Sequence, residues 1–189
     1  NTGIRNARNE IIAFTDADCE VNRNWLKNLV KPLVEDEDID AVGGRILSRE
    51  PCNSIERFGE LLHDHQQALS SRRYPTFITM NILIRKPLLL EVGMFDEDFI
   101  RGQDTDLSFR LCRMGYRVSY ANEAVVYHRN EKTLRGIFKE GFTHGYWKSK
   151  FLKKHKESPG FFRLYRFIFN RGKKIGLFFG WLKSIFDSR

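Results

Sequence analysis

The chain has 189 residues, 41% hydrophobic and 30% charged, which is enough apolar content for one ordinary core and too much for a disordered segment. Its net charge of +8 is divided: residues 129–189 hold 16 Lys and Arg against 4 Asp and Glu, a net of +12, leaving residues 1–128 at −4. Three separated cysteines (Cys19, Cys52, Cys112) argue against a disulfide framework or a CxxC zinc site, and no apolar run reaches the roughly 18 residues a membrane-spanning helix needs.

The first residue is Asn1, and the opening residues read as the interior of a domain, without a signal peptide. Residues 10–15 form a short apolar run that predicts a buried strand ending in Asp16-Ala17-Asp18. Trp25, Leu26, Leu29, Val30, Leu33 and Val34 recur at helical spacing, with Asn22 as the candidate N-cap. Residues 41–47 predict the next strand. Residues 53–70 are compatible with a helix, in which His63 and His65 diverge and are read as surface.

Residues 77–84 predict a strand and 86–92 a short helix closed by Gly93. An amphipathic helix over 105–114 ends at Gly115, and two short strands follow at 118–121 and 124–127. A helical stretch over 131–155 leads to Ser158-Pro159-Gly160, whose turn chemistry marks the expected boundary. Strands alternating with helices imply an α/β domain with a mostly parallel sheet.

Ligands collect at the carboxyl ends of strands in such sheets. Asp16 and Asp18, spaced i, i+2 at one, can hold Mg²⁺ or Mn²⁺ together with a diphosphate; a solvated turn is the plain alternative. Asn1-Thr2-Gly3-Ile4-Arg5-Asn6-Ala7-Arg8-Asn9-Glu10-Ile11-Ile12-Ala13-Phe14-Thr15-Asp16-Ala17-Asp18 resembles the family 2 glycosyltransferases, whose segment runs N-x-G-I-x-x-A-x-G-E-I-I-x-F-x-D-A-D, with Asn9 at a position commonly Gly. Asn81-Ile82-Leu83-Ile84-Arg85-Lys86 followed by Glu91-Val92-Gly93-Met94-Phe95-Asp96-Glu97 is similar to a second family block. Gly102-Gln103-Asp104-Thr105-Asp106-Leu107-Ser108-Phe109-Arg110 is similar to E-D-x-D-L-x-x-R, with Gln103 replacing the Glu.

The resemblance covers about residues 1–150 and implies a GT-A type, Rossmann-like α/β fold. Asp16 and Asp18 would hold the metal and diphosphate, His128 would join them, and Asp104 would be the base. Ala17, Asn81, Gly102 and Gln103 would meet the substrates. A base beside the acceptor hydroxyl suits an inverting in-line transfer, and a helix N-terminus would keep Asp104 ionised. Asp106 and Arg110, i, i+4 on one helix, read as a structural ion pair. Asn81 has the alternative of a capping residue and His128 that of a structural histidine.

Residues 159–189 interleave aromatics (among them Phe161, Phe162, Tyr165, Trp181) with Arg163, Arg166, Arg171, Lys173 and Lys174. This alphabet suits an anionic membrane surface. Docking on the catalytic domain and nucleic-acid binding are the alternatives, the latter without a recognised motif.

The expected organisation is therefore a catalytic portion over 1–130, a helical extension over 131–158 and a basic aromatic tail over 159–189. The expected partners are a nucleotide-sugar donor, a glycan or lipid-linked acceptor and the inner face of a membrane. Rival readings are a non-catalytic membrane-peripheral module that keeps the fold, and a metal-dependent phosphatase with Asp16 as nucleophile. Family members carry a nucleotide-binding portion before this region, so the 189-residue chain alone is expected to be poorly soluble and inactive.

Overall fold

A computed structural model describes residues 1–71 and 75–156; the basic aromatic segment 159–189 lies outside the described residues. The chain divides into two units, Asn1–Trp147 and Lys148–Arg189. In chain order the elements are α1 (Thr2–Asn6), β1 (Ile11–Phe14), β2 (Cys19–Val21), α2 (Trp25–Glu35), β3 (Ala41–Ser48), α3 (Ser54–Leu62) and α4 (His65–Leu69). A 3₁₀ turn (Thr79–Asn81), β4 (Ile82–Arg85), α5 (Lys86–Glu91), α6 (Gln103–Arg113), β5 (Val118–His128) and α7 (Leu134–Lys154) follow.

The five strands form one sheet in the order β1-β4-β3-β5-β2. Apolar residues on both faces of its central strands explain the unbroken hydrophobic runs. Ile82 and Ile84 of β4 pack with Ile4, Phe77, Leu89, Leu107 and Leu111 on one side. Leu83, between them, packs with Leu29, Leu33, Ile39 and Val42 on the other. Each fully buried Leu or Ile contributes about 1.5–3 kcal/mol, so the two layers hold helices on both faces of the sheet.

The α/β architecture is as expected, but the sheet is mixed rather than mostly parallel. Only β3 and β5 run parallel; β1 with β4, β3 with β4 and β2 with β5 are antiparallel. Burial on both faces produces the same apolar run whichever way a neighbour points, so the pattern carries no direction. The two short strands expected at 118–121 and 124–127 are one strand, β5, with a bulge. Gly44 pairs with Ala121 but Arg45 pairs with Val125, leaving Asn122, Glu123 and Ala124 out of register.

Asn81 repairs this break. Its Nδ2 donates to the carbonyls of Arg45 (2.7 Å) and Ala124 (2.8 Å), and its Oδ1 accepts from Trp25 Nε1 (2.8 Å). The approach requires Gly44, since a Cβ there would collide with Asn81 and the Ala124 carbonyl.

His63 and His65 are not a surface pair. His65 is buried, its Nδ1 donating to Gly44 O (2.9 Å) and its Nε2 accepting from Ile78 N (3.1 Å). Burial pushes its pKa down to about 4. The unfolded chain, with His near about 6.5, therefore binds more protons between the two values. Stability is complete above the unfolded pKa and falls as the pH drops through this window, by about 3 kcal/mol. Urea midpoints measured from pH 7 down to pH 4 should show this loss and His65→Gln should flatten it; identical profiles for the two proteins would reject the assignment.

Candidate active site

Strand β1 ends in a turn that Cys19 N closes on Asp16 O (3.1 Å), so that Asp16 and Asp18 lie in a four-residue turn at a strand's carboxyl end. The Asp16 carboxyl stands above its usual pKa, first through partial enclosure and then through the neighbouring Asp18 charge, with His128 acting in the opposite direction. Asp18 Oδ2 lies 3.6 Å from His128 Nε2. This meeting follows from the sheet, because Cys19 of β2 is the register partner of His128 in β5.

The tautomer of His128 is set by its neighbour. Asn130 is 6% exposed, and its Nδ2 donates to Ser48 Oγ (2.8 Å) and Glu56 O (2.9 Å). Its Oδ1 is then left to accept from His128 Nδ1 at 2.9 Å. The imidazole thus keeps a proton on Nδ1, and Nε2 is the nitrogen that faces the Asp18 carboxylate, open to a cation when it carries no proton. The two atoms stand 3.6 Å apart, close enough for one cation to draw them together as ligands. Among the described residues no three His, Cys, Asp or Glu side chains are gathered closely enough to hold a metal by themselves. The pair fits an ion such as Mg²⁺ or Mn²⁺, which takes one or two protein ligands and completes its shell with phosphate oxygens and water.

Asn130 had no signature in the sequence. It is held by α3, where Gly59 would place a Cβ 2.6 Å from the Asn130 Cβ, and this contact joins segments far apart in the chain. His63 also packs here, its ring edge-on to His128 at 5.2 Å between centroids, and burial followed by His128 lowers its pKa.

Asp16 and Gln103 line a cleft of about 420 Å³ together with Asn1, Phe14, Thr79, Phe95 and Asp96. Gln103 opens α6, and among the described residues its enclosed Oε1 has no hydrogen-bond partner. An orphaned acceptor just behind a cleft wall is a group whose hydrogen bond a ligand donor could satisfy on a small shift of the side chain. Asp104 follows it, with Oδ1 accepting from Thr105 N at 2.7 Å. Burial raises its pKa, while that hydrogen bond and the nearby His144 act in the other direction. The helix N-terminus was expected to keep this carboxyl low; enclosure outweighs it. A carboxylate with a raised pKa is the stronger proton acceptor.

Gly102 is the N-cap of α6 at φ 76°, where only glycine is unstrained, so its contribution is backbone geometry. Ala17 is exposed in the Asp16–Asp18 turn. Asn81, expected to touch substrate, is fully buried, with both Nδ2 protons donated to Arg45 and Ala124 and Oδ1 accepting from Trp25. The Asp106–Arg110 pair is as read. Nε donates to the fully buried Asp106 at 2.7 Å, and the guanidinium also clamps the carbonyls of Val92 and Met94 beside the cleft-lining Phe95.

Residues 1–93 match the family model described as Glycosyl transferase family 2. The chain is 32% identical over 144 residues to the pre-mycofactocin glycosyltransferase of Mycobacterium tuberculosis, covering 71% of this chain and 30% of that protein. It is 28% identical over 130 residues to the glycosyltransferase AglE of Haloferax volcanii, covering 68% and 42%. The solved structure of the mannosyltransferase PcManGT from Pyrobaculum calidifontis, in complex with GDP-Man and Mn²⁺, aligns with a TM-score of 0.59 and 25% identity, over 83% of this chain and 42% of that one. The chain spans less than half the length of each of these relatives.

Proposed function

Because the chain belongs to glycosyl transferase family 2, we propose that it supplies the catalytic centre of an inverting transfer from a nucleotide-diphosphate sugar to an acceptor hydroxyl. The acceptor class is a cell-envelope glycan or a lipid-linked saccharide, met at the cytoplasmic face of a membrane with help from the basic residues 159–189. Asp18 and His128 would hold a divalent metal, with Asp16 beside them in the same turn, and the donor diphosphate would complete its shell. The metal, when bound, offsets the charge that builds on the leaving diphosphate. Asn130 orients His128, Gln103 meets a sugar hydroxyl, and Asp104 takes the proton of the attacking hydroxyl.

The observation that carries this reading is the approach of Asp18 Oδ2 to His128 Nε2, 3.6 Å, with the opposite ring nitrogen fixed by Asn130 Oδ1. The nucleotide sugar and Mn²⁺ bound to the Pyrobaculum calidifontis neighbour are in keeping with it. Asp18→Ala should weaken Mn²⁺ binding by at least about tenfold, and Asn130→Ala by about 10–100-fold because it frees the histidine orientation. Calorimetric titration of Mn²⁺ with a nucleoside diphosphate present is the measurement. Equal affinity in the parent and both variants would remove these residues from a metal site.

A further inference from the structure

Within the first unit, α7 turns Ile137, Glu140 and Trp147 toward the protein. The Glu140 carboxylate lies 4.0 Å from His63 Nε2 and 3.6 Å from His144 Nε2, and Trp147 is 9% exposed beside Phe99. The opposite face is unusual for a helix end of this kind. Leu134, Phe138, Phe142 and Tyr146 recur every fourth residue and are 42%, 67%, 81% and 54% exposed. They make one stripe about 18 Å long, at 1.5 Å per residue. The exposed Arg135 and Lys139 flank it, each one residue on from a stripe member. Large aromatic side chains displayed in a row are costly to leave in water and mark a surface that is covered in use.

Charge selects the occupant. Arg135 and Lys139 border the stripe while Glu140 is turned to His63 and His144, so a second copy of the same face would meet like charge, whereas an anionic surface meets its complement. A helix with an aromatic face, basic flanks and no stretch long or apolar enough to cross a bilayer is built to lie in the headgroup region.

We propose that the Leu134–Phe138–Phe142–Tyr146 face of α7 seats on an anionic lipid surface. Phe138 and Phe142 enter the boundary between headgroups and acyl chains, and Arg135 and Lys139 meet the anionic headgroups. This placement rests on exposure and charge and does not depend on glycosyl transfer. It also differs from a contribution of residues 159–189, which the test leaves intact.

The full chain is sedimented with phosphatidylcholine vesicles, with and without phosphatidylglycerol, and the Phe138→Ser/Phe142→Ser and Arg135→Glu/Lys139→Glu variants are compared. Thermal unfolding of each variant checks that it is folded, which the exposure of all four side chains favours. The parent should bind phosphatidylglycerol vesicles and release with added salt. The phenylalanine pair should weaken binding by about tenfold per ring removed, and the charge reversal should weaken binding to phosphatidylglycerol vesicles by at least about tenfold, residues 159–189 being the same in every variant. The proposal is overturned if the parent does not bind or binds both vesicle types equally. It is also overturned if both variants bind as the parent does, or if the phenylalanine pair instead dissolves a dimer.

Discussion

Asp104→Asn should lower kcat by about 10²–10⁴ while leaving the donor KM within a small factor of the parent value, the signature of a lost general base. The substitution is nearly isosteric, and its Oδ1 can still accept from Thr105 N, so the start of α6 is preserved. What it removes is a proton acceptor whose pKa has been lifted by enclosure against the opposing pull of the Thr105 amide and His144. The lifted value also sets the sign of the pH profile. Activity should fall on the acid side as Asp104 takes up a proton, at a higher pH than an open aspartate would show. His144→Gln removes one of the influences that lower this pKa and should move the acid limb further up. Steady-state kinetics across pH, on a protein that turns over a nucleotide sugar, are the measurement. A variant with the parent's kcat would exclude Asp104 as the base.

A loss of comparable size, in stability rather than rate, is expected at Asn81. Asn81→Leu keeps most of the volume but strands the Arg45 and Ala124 carbonyls and the Trp25 indole N–H. A buried polar group without a partner costs about 1–3 kcal/mol; the Ala124 bond is buried and the other two are partly so, and together their loss should remove about 3 kcal/mol. A domain with a total stability of about 5–15 kcal/mol would feel that as a large drop in urea midpoint. An unchanged midpoint would mean that the carbonyls find other partners at the bulge.

These two residues show what a linear reading reaches. The strand before Asp16, the helix over Trp25–Glu35, the helix after Gly102 and the Asp106–Arg110 pair are visible because each depends on neighbours a few residues away, through apolar spacing, a helix start or an i, i+4 contact. Strand direction was not visible, because β4 is buried on both sides and looks the same in either orientation. The tasks of Asn81, Asn130 and His65 were not visible either. Each is defined by carbonyls, or by a close approach at Gly44 or Gly59, supplied by distant parts of the chain. Asn81 lay in a recognised block, and the block alone invited a substrate contact where the amide is holding strands together.

The three-residue bulge in β5 also separates chain length from facing. Residues that pair across a sheet point to the same face, so Asn122, Glu123 and Ala124 can be skipped and the facing is reset where Arg45 pairs with Val125. His128 is presented to Asp18 because it pairs with Ser48 on one side and Cys19 on the other. An insertion or deletion that the bulge absorbs would leave those pairs and the direction of the imidazole intact. One that slides the end of β5 by a single residue against β3 and β2 would turn the imidazole to the far face while leaving every residue of the site in the sequence. The site is therefore tolerant of length changes at the bulge and intolerant of them in the four residues that follow it.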